Sequence, residues 1–375
     1  MTTKRCMLIG LLSVLVFVIA HLGYAQLSSA AELTPLAQVI EGAKKEGKEG
    51  PVNATIIAGV TPKSIPRLRS EIKKEYGVDL DITITPSTDY PKFYAEALME
   101  KKIAAPPSYD LMTFNAYNGI RGFSEGIFEK LDWRPLLAKG APPEVLSGTP
   151  PQVKELYGLG LIYFSSDRGI IYNPERIPAD KVPKTIADLA DPQWKGKVGV
   201  NNYPNVWAEI AFIRGKEKTF SDLRAMLKNE AIQGLYTDVF NRYLLGEVPI
   251  IYVTSQYLEY ARAKGMPSAW QTLEFSSMNL YHLMLRKGTR RPNAAKLVAI
   301  YLASPAGARF MLEEAHVGNL YYPGNFEHDI KLQNEKQGLR VVCKDAWPEL
   351  MDFLVGKEVF LWGKEITLIF QTGGR

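Results

Sequence analysis

The side chains of this chain that could do covalent chemistry are few and scattered. His282, His316 and His328 stand far apart, and none falls in a paired metal-binding spacing such as H-E-x-x-H. No G-x-S-x-G nucleophile elbow, Walker loop or dinucleotide-binding glycine triplet is present. His282 lies inside an apolar, strand-like run, where a hydrogen-bonded core or hinge histidine is the expected role. Lys195-Gly196-Lys197 invites a phosphate-loop reading, but it precedes a strand. A phosphate cradle needs the reverse order, because the anion sits on backbone N–H groups at a helix N-terminus that follows a strand.

Short neutral hydrogen-bonding residues do recur at one kind of place, the ends of strand-like runs. They are Thr61 after "ATIIAG", Ser87 after "ITITP", Asn115 after "LMTF", Ser165 and Ser166 after "LIYF", Asn201 and Asn202 after "VGV", and Ser255 and Gln256 after "IIYVT". Singly, each also suits a helix cap or a turn. Together, at equivalent strand ends, they suit the lining of a ligand cleft. Arg168 is the nearby cation, with two roles open to it: a ligand anion or an interdomain ion pair. Tyr203, Tyr257, Tyr117 and Trp207 could stack on a ligand or pack an interface. The helix opening at Asn205 and Val206 could favour an anion.

The elements that would place these groups alternate. "LTPLAQVIEGAKKEG", "TPKSIPRLRSEIKKEYG" and "DYPKFYAEALMEKKIAA" read as helices between the strands "NATIIAG", "VDLDITITP" and "YDLMTFN". Two strand-like runs in "GLGLIYFSSDRGIIYNP" open a second half with the strands "KVGVN" and "VPIIYVT". "NVWAEIAFIRG", "FSDLRAMLKNEAIQG" and "SQYLEYARAKG" read as its helices, "LEFSSMNLYHLMLRKG" as a strand pair, and "PNAAKLVAIYLASPAGARFMLEEA" as one helix. Such alternation predicts an α/β class with largely parallel, open sheets flanked by helices. Ligands of such sheets bind outside the carboxyl ends of the strands, so a cleft between two such halves is the expected site.

Lys4 and Arg5 ahead of the run Met7–Ala20 predict a cleaved signal peptide over residues 1–31, ending after Ala31 or, alternatively, after Ala25. Cys6 would leave with it, so Cys343 would be the single thiol and no internal disulfide could form. Losing Lys4 and Arg5 lowers the formal charge from +5 to +3. That mild, dispersed charge gives no aromatic-interleaved basic stripe, and no nucleic-acid partner is expected. With 46% apolar residues and this length, two cores are expected. The boundaries fall near Phe164 and Met278: 32–164 with 278–325 as one domain, 165–277 with 326–375 as the other.

Several strings then resemble a known family. "AKKEG", "EIKKEYGVDLDI", "YDLMTFN", "LLGEVPIIY" and above all "GIIYNPERIPADKVPKTIADLADPQWKGKVGV" are similar to the periplasmic solute-binding proteins of ABC importers, closest to the ferric-ion-binding branch. The resemblance implies a type II periplasmic-binding fold: two domains, joined by hinge strands, that close on a solute and present it to a membrane permease. It implies a monomer in the periplasm, no enzymatic activity and no cofactor. The iron-binding branch carries a histidine, a glutamate and two adjacent tyrosines at positions that here hold Thr61, Asn115 and Ser255-Gln256. Ferric iron is hard and wants anionic oxygens. Tyr321-Tyr322 lies in a later segment and is expected to pack at the hinge, and Tyr257 and Tyr260 are three apart on a helix. The ligand expected is therefore a small organic solute; an anionic one would suit Arg168. Ferric iron and a periplasmic ligand-sensing module are the alternatives.

Overall fold

Strands β1 (Val52–Ile56), β2 (Ile82–Pro86) and β3 (Leu111–Phe114) lie parallel in the order β2-β1-β3, with Ala54 opposite both Ile84 and Leu111. The computed structural model describes residues 33–56, 59–86 and 90–375. The expected leader and Ser87 lie outside the described residues. Helices α1 (Pro35–Glu46), α2 (Ile65–Tyr76), α3 (Tyr90–Lys102) and α4 (Ala116–Ser124) alternate with these strands. The helix-to-strand turn after α2 is made by Gly77, whose φ of 67° is left-handed and whose N–H closes on the Lys73 carbonyl at 2.9 Å. Every residue of β3 is buried, as a strand with helices on both faces requires.

The first sheet is completed out of sequence order. β10 (Phe275–Leu285) runs antiparallel to β3 with Leu283 opposite Thr113, and antiparallel to β4 (Leu161–Ser166) with Asn279 opposite Ser166. β11 (Arg340–Cys343) pairs with the start of β10 in parallel. Gly160, just before β4, lets the chain press against β10, since a Cβ there would fall 1.9 Å from the Leu283 carbonyl oxygen. The second sheet has the order β7-β6-β8-β5-β9, from β5 (Arg168–Tyr172), β6 (Val198–Asn201), β7 (Ile232–Gly234), β8 (Ile250–Thr254) and β9 (Ala269–Gln271). β6 is parallel to β7 and β8, while β5 is antiparallel to β8 and β9. Helices α5 (Pro204–Arg214), α6 (Lys216–Lys228), α7 (Tyr236–Leu244) and α8 (Gln256–Ala263) follow its strands.

The chain crosses between the sheets at Asp167, between β4 and β5, and again between β9 and β10. Residues Val39–Arg375 nonetheless form one continuous unit. After α9 (Pro292–Leu302) and α10 (Pro305–Ala315), α11 (Phe326–Lys336) packs Phe326 and Ile330 with Val253 and Trp270 of the second sheet and Phe240 of α7. The last helices, α12 (Pro348–Val355) and α13 (Glu358–Gln371), join Trp207, Val200 and Phe220 in that sheet's other core. Trp194 packs in the same cluster, Lys195 pairs with the exposed Glu230 at 3.0 Å, and Lys197 Nζ donates to the Gln193 carbonyl at 3.1 Å. The "DPQWKGK" turn is scaffold.

Three sequence expectations need correction. "LEFSSMNLYHLMLRKG" is one eleven-residue strand, not a pair, because no Gly, Pro or Asn-Gly turn signal interrupts 275–285 and the run spans three partners. "PNAAKLVAIYLASPAGARFMLEEA" is two helices. Pro305 cannot continue the first, and Ser304 caps the second, its hydroxyl accepting the Gly307 N–H at 3.0 Å. "FSDLRAMLKNEAIQG" ends its helix at Lys228 and spends Ile232–Gly234 on β7.

Candidate ligand site

The parallel strands all point their carboxyl ends toward the crossing strands, and the helices that follow bring polar residues there. β2 and β3 lead to Tyr90 and Tyr117; β6, β7 and β8 lead to Asn201 and Tyr203, Tyr236, and Ser255 and Tyr257. β4, β5 and β10 supply the floor.

At that floor lies a connected, buried charge cluster. Arg168 Nη1 donates to Glu209 Oε1 at 3.1 Å and to Ser277 Oγ at 3.0 Å, and Ser277 Oγ donates to the same carboxylate oxygen at 3.0 Å. Lys344, just beyond β11, places Nζ 3.5 Å from Glu209 Oε2 and donates to Asn279 Oδ1. Arg168, Lys344, Glu209 and Asn279 are each 5% exposed. Burial alone would push the Glu209 carboxyl up, but Arg168 and Lys344 outweigh it and hold the group at about 2. Burial works against the charge on Arg168 and Lys344 too, and for both Glu209 overcomes it and raises the pKa. All three are charged at neutral pH, and the Asp167 carboxyl lies one residue from Arg168.

Around this cluster several buried polar atoms have no hydrogen-bond partner: Arg168 Nε, Asn279 Nδ2, Asn201 Nδ2, Ser166 Oγ and the hydroxyls of Tyr236 and Tyr90. Ser166 and Asn279 stand opposite each other in the β4–β10 register, and Asn201 lies opposite Gly234, two residues before Tyr236. Tyr236 feels the charge of Arg168 and the neighbouring Tyr281, and burial pushes its hydroxyl up to about 12. Its ring rests on Tyr203 at 5.1 Å and near Tyr257 at 6.0 Å, while Tyr281 stacks flat on Phe164 at 4.0 Å. Buried polar groups are normally satisfied, so these atoms are exceptions to the rule.

A second polar cluster pins the crossing itself. The Asp167 carboxylate accepts from the Arg168 N–H at 2.7 Å and from Ser276 Oγ and Asn334 Nδ2, both at 2.8 Å. Its own N–H donates to Ser255 Oγ at 2.8 Å, and that hydroxyl donates on to Glu327. Burial pushes the carboxyls of Asp167 and Glu327 up, Glu327 far above the usual range.

The residues expected from sequence divide accordingly. Ser166 and Arg168 reach the charged cluster with an atom free for a ligand, and Tyr203 and Tyr257 line its aromatic side. Asn202 is half-buried and donates its N–H to the Gly234 carbonyl at 2.9 Å; Gln256 is half-buried at the start of α8. Ser165 and Ser255 are used by the fold: Ser165 Oγ accepts the Leu320 N–H at 2.9 Å, and Ser255 belongs to the Asp167 cluster. Asn115 caps α4, accepting the Asn118 N–H at 3.4 Å. Thr61 is exposed in the turn leading to α2, its carbonyl accepting the Ser64 N–H at 2.9 Å. Asn205 is exposed with its side chain near Gly363 of α13. Trp207 is core, its Nε1 donating to the Asn201 carbonyl at 2.8 Å. Tyr322 is buried and donates to the Ala303 carbonyl. Glu209, Lys344, Asn279, Tyr281, Tyr236 and Tyr90 were not legible as site residues. Glu209 lies mid-helix, Lys344 lies in a segment without periodicity, and Asn279 and Tyr281 point inward from a strand whose pairing sequence does not give. The acid at the centre of an apolar helix, "WAEIAF", is the one signal that could have been used.

His282 shows how a catalytic-looking arrangement can be structural. Its Nδ1 lies 2.7 Å from Ser147 Oγ and its Nε2 lies 2.7 Å from Asp345 Oδ2, all three residues being buried. Ser147 also donates to the Gly160 carbonyl at 2.9 Å, so its oxygen is engaged inside the protein. A serine nucleophile must reach its substrate; this one holds β4, β10 and the segment after β11 together. Among the described residues no group of three His, Cys, Asp or Glu side chains could hold a metal ion.

Comparison with known proteins agrees with this architecture. Residues 112–238 match the family described as bacterial extracellular solute-binding protein. A curated relative, the Fe(3+)-binding periplasmic protein of Serratia marcescens, is 25% identical over 88 residues, 22% of this chain and 26% of its own length. The chain thus spans about a quarter of the curated relative it matches. Among solved structures, the iron-bound HitA of Pseudomonas aeruginosa aligns with a TM-score of 0.57 and 17% identity, covering 84% of this chain and 99% of HitA. The Actinobacillus pleuropneumoniae protein AfuA, with fructose-6-phosphate bound, aligns at 0.61 and 16%, covering 85% and 99%. A substrate-binding protein of an ABC transporter from Agrobacterium tumefaciens aligns at 0.65 and 12%, covering 88% and 97%. At such identities the likeness is one of fold, the two-domain fold of periplasmic binding proteins. The matched stretch is similar to the bacterial extracellular solute-binding proteins, and the chain shares its fold with periplasmic binding proteins.

Proposed function

We propose that this chain is the substrate-binding component of an ABC importer. It captures a small organic solute among the strand ends around Arg168 and delivers it, chemically unchanged, to a membrane permease. It acts outside the cytoplasmic membrane, in the periplasm, after loss of its leader, as a monomer and without a cofactor. The domains on either side of the site are taken as 32–164 with 278–325 and 165–277 with 326–375. The observation that carries the reading is the set of buried, unpartnered polar atoms on Ser166, Arg168, Asn201, Tyr236 and Asn279, gathered where strands of both sheets end. In this family's fold, hinge closure lets a solute shift an open–closed equilibrium that a permease can read. Ferric iron suits this site poorly: a trivalent cation beside two buried cations would gain one carboxylate and no free anionic oxygen set.

The test is retention. The exported, purified chain is incubated with the small-molecule fraction of a bacterial extract, desalted, denatured and assayed by mass spectrometry and for iron. One organic compound held at close to one per chain supports the reading. Stoichiometric iron with no organic compound, or conversion of the compound to a product, overturns it.

A further inference from the structure

The short helix α12 has side chains in the cores of both halves of the fold. Leu350 and Phe353, three residues apart on one face, enter the core of the second sheet with Ile170, Val200 and Tyr252. Met351 stands about 130° round the helix from that face and enters the core of the first sheet with Met112, Phe114 and Met284. The helix accordingly packs against α4, which follows β3, and against α5, which follows β6. The turn before α12 bridges in the same way. Toward the second half, Phe212 of α5 meets Trp347 at 5.5 Å and Phe353 at 4.8 Å. Toward the first half, the Asp345 carbonyl accepts the Val153 N–H at 2.6 Å. The Asp345 carboxylate lies 2.7 Å from Nε2 of His282, which stands opposite Phe114 of β3. The halves also touch directly. His316, after α10 on the first sheet, lies 5.3 Å from the Tyr260 ring of α8, and Leu312 of α10 packs with Tyr257 and Tyr260. Release of the halves from this arrangement therefore opens the cleft.

We infer that residues 345–355 form a brace across the hinge, anchored in the second half by Trp347, Leu350 and Phe353 and gripping the first half through Met351 and Asp345, and that this grip holds the halves closed. A helix of eight residues is rigid, and close-packed cores do not stretch, so one helix cannot follow two cores that rotate apart. Opening must break the grip at one end. Met351 suits the yielding end, because an unbranched thioether chain adapts to small shifts and gives up a contact without a polar atom to strand. Leu350 and Phe353 enter the larger cluster together, with Trp347 packed against it, so the second half keeps the helix. Truncating Met351 leaves a cavity at the gripping end and leaves the anchor in place. The inference rests on the two-domain fold and not on the identity of any solute.

The test is small-angle X-ray scattering of the exported, extensively dialysed chain with no ligand added, beside Met351→Ala, Met351→Leu and Met112→Ala. Met112 is the control because it is a methionine buried in the same cluster but carried by β3, away from the brace. Both alanine variants lose a buried methionine side chain, so both should unfold at lower urea concentration than the natural chain. Only Met351→Ala should open. Its radius of gyration should exceed that of the natural chain and its curve should no longer fit this structure, while the natural chain, Met112→Ala and the volume-conserving Met351→Leu fit it. A folded Met351→Ala with the natural scattering curve overturns the inference. So does a Met112→Ala that opens as far, which would make the change a general loosening, or a natural chain that does not fit this arrangement. If Met351→Ala does not fold, Met351→Val is read by the same criteria. None of these outcomes requires a solute to be found, so failure of the brace and failure of the solute-binding reading are told apart.

Discussion

Arg168 is tied to Glu209 and Ser277 by one nitrogen and leaves Nε free, so the same side chain is both structural and able to bind. Of the two roles left open by the sequence, an interdomain ion pair is not the one formed: Glu209 lies on α5, beside the same second sheet that carries Arg168. Breaking a buried ion pair from one side strands the other charge, at a cost of about 3–5 kcal/mol. Arg168→Met should therefore destabilise the chain by close to that amount in denaturant unfolding, softened because Lys344 still faces Glu209. A loss below about 1 kcal/mol would mean that the ion pair is not intact in solution. The neutral strand-end residues were legible as a group because their position follows from strand–helix alternation. Their individual fates were not. Ser165 and Ser166 are adjacent and chemically identical, yet one hydroxyl accepts the Leu320 N–H and the other is free, a difference set by which way β4 faces in its pairing with β10.

Among the elements, those with local signals were the ones read from sequence. The β1-to-β3 region and α2 with its Gly77 terminus are set by periodicity and a left-handed glycine within a few residues. β10 was legible as strand but not as one strand with three partners, because pairing with β3, β4 and β11 is a long-range fact. The division of 292–315 at Ser304-Pro305 follows from chemistry present in the sequence, the prolyl ring and the serine cap. Ser304→Ala should cost about 1 kcal/mol through loss of the bond to the Gly307 N–H, measured by urea unfolding with an unchanged m-value. No change would show that Pro305 alone sets the helix start. The C-terminal helices α12 and α13 carried no diagnostic motif, and their place against the second sheet rests on Leu350, Phe353, Ile366 and Phe370 meeting Trp207 and its neighbours.

At the scale of the whole molecule, the crossing between the sheets concentrates carboxyls with opposite proton habits. Glu209 is held down at about 2, so its ion pair stabilises the fold above the unfolded pKa near 4.5 and that contribution disappears as pH falls through about 2. Glu327, raised by burial, has the opposite sign: its favourable contribution is full below 4.5 and is lost as pH rises toward its folded value, because the unfolded chain releases a proton that the fold keeps. Glu327→Gln removes that titration. The melting temperature of the variant relative to the natural chain should therefore climb as pH rises above 4.5; a difference that stays flat or falls would show that Glu327 is ionised in the fold. The most direct measurement of the central claim is a crystal structure of the exported chain with the solute it retains. The account predicts that solute between the two sheets, an oxygen within hydrogen-bond distance of Arg168 Nε and at least one of Asn201 Nδ2 and Asn279 Nδ2. A solute bound elsewhere, or one that leaves those nitrogens untouched, would contradict it.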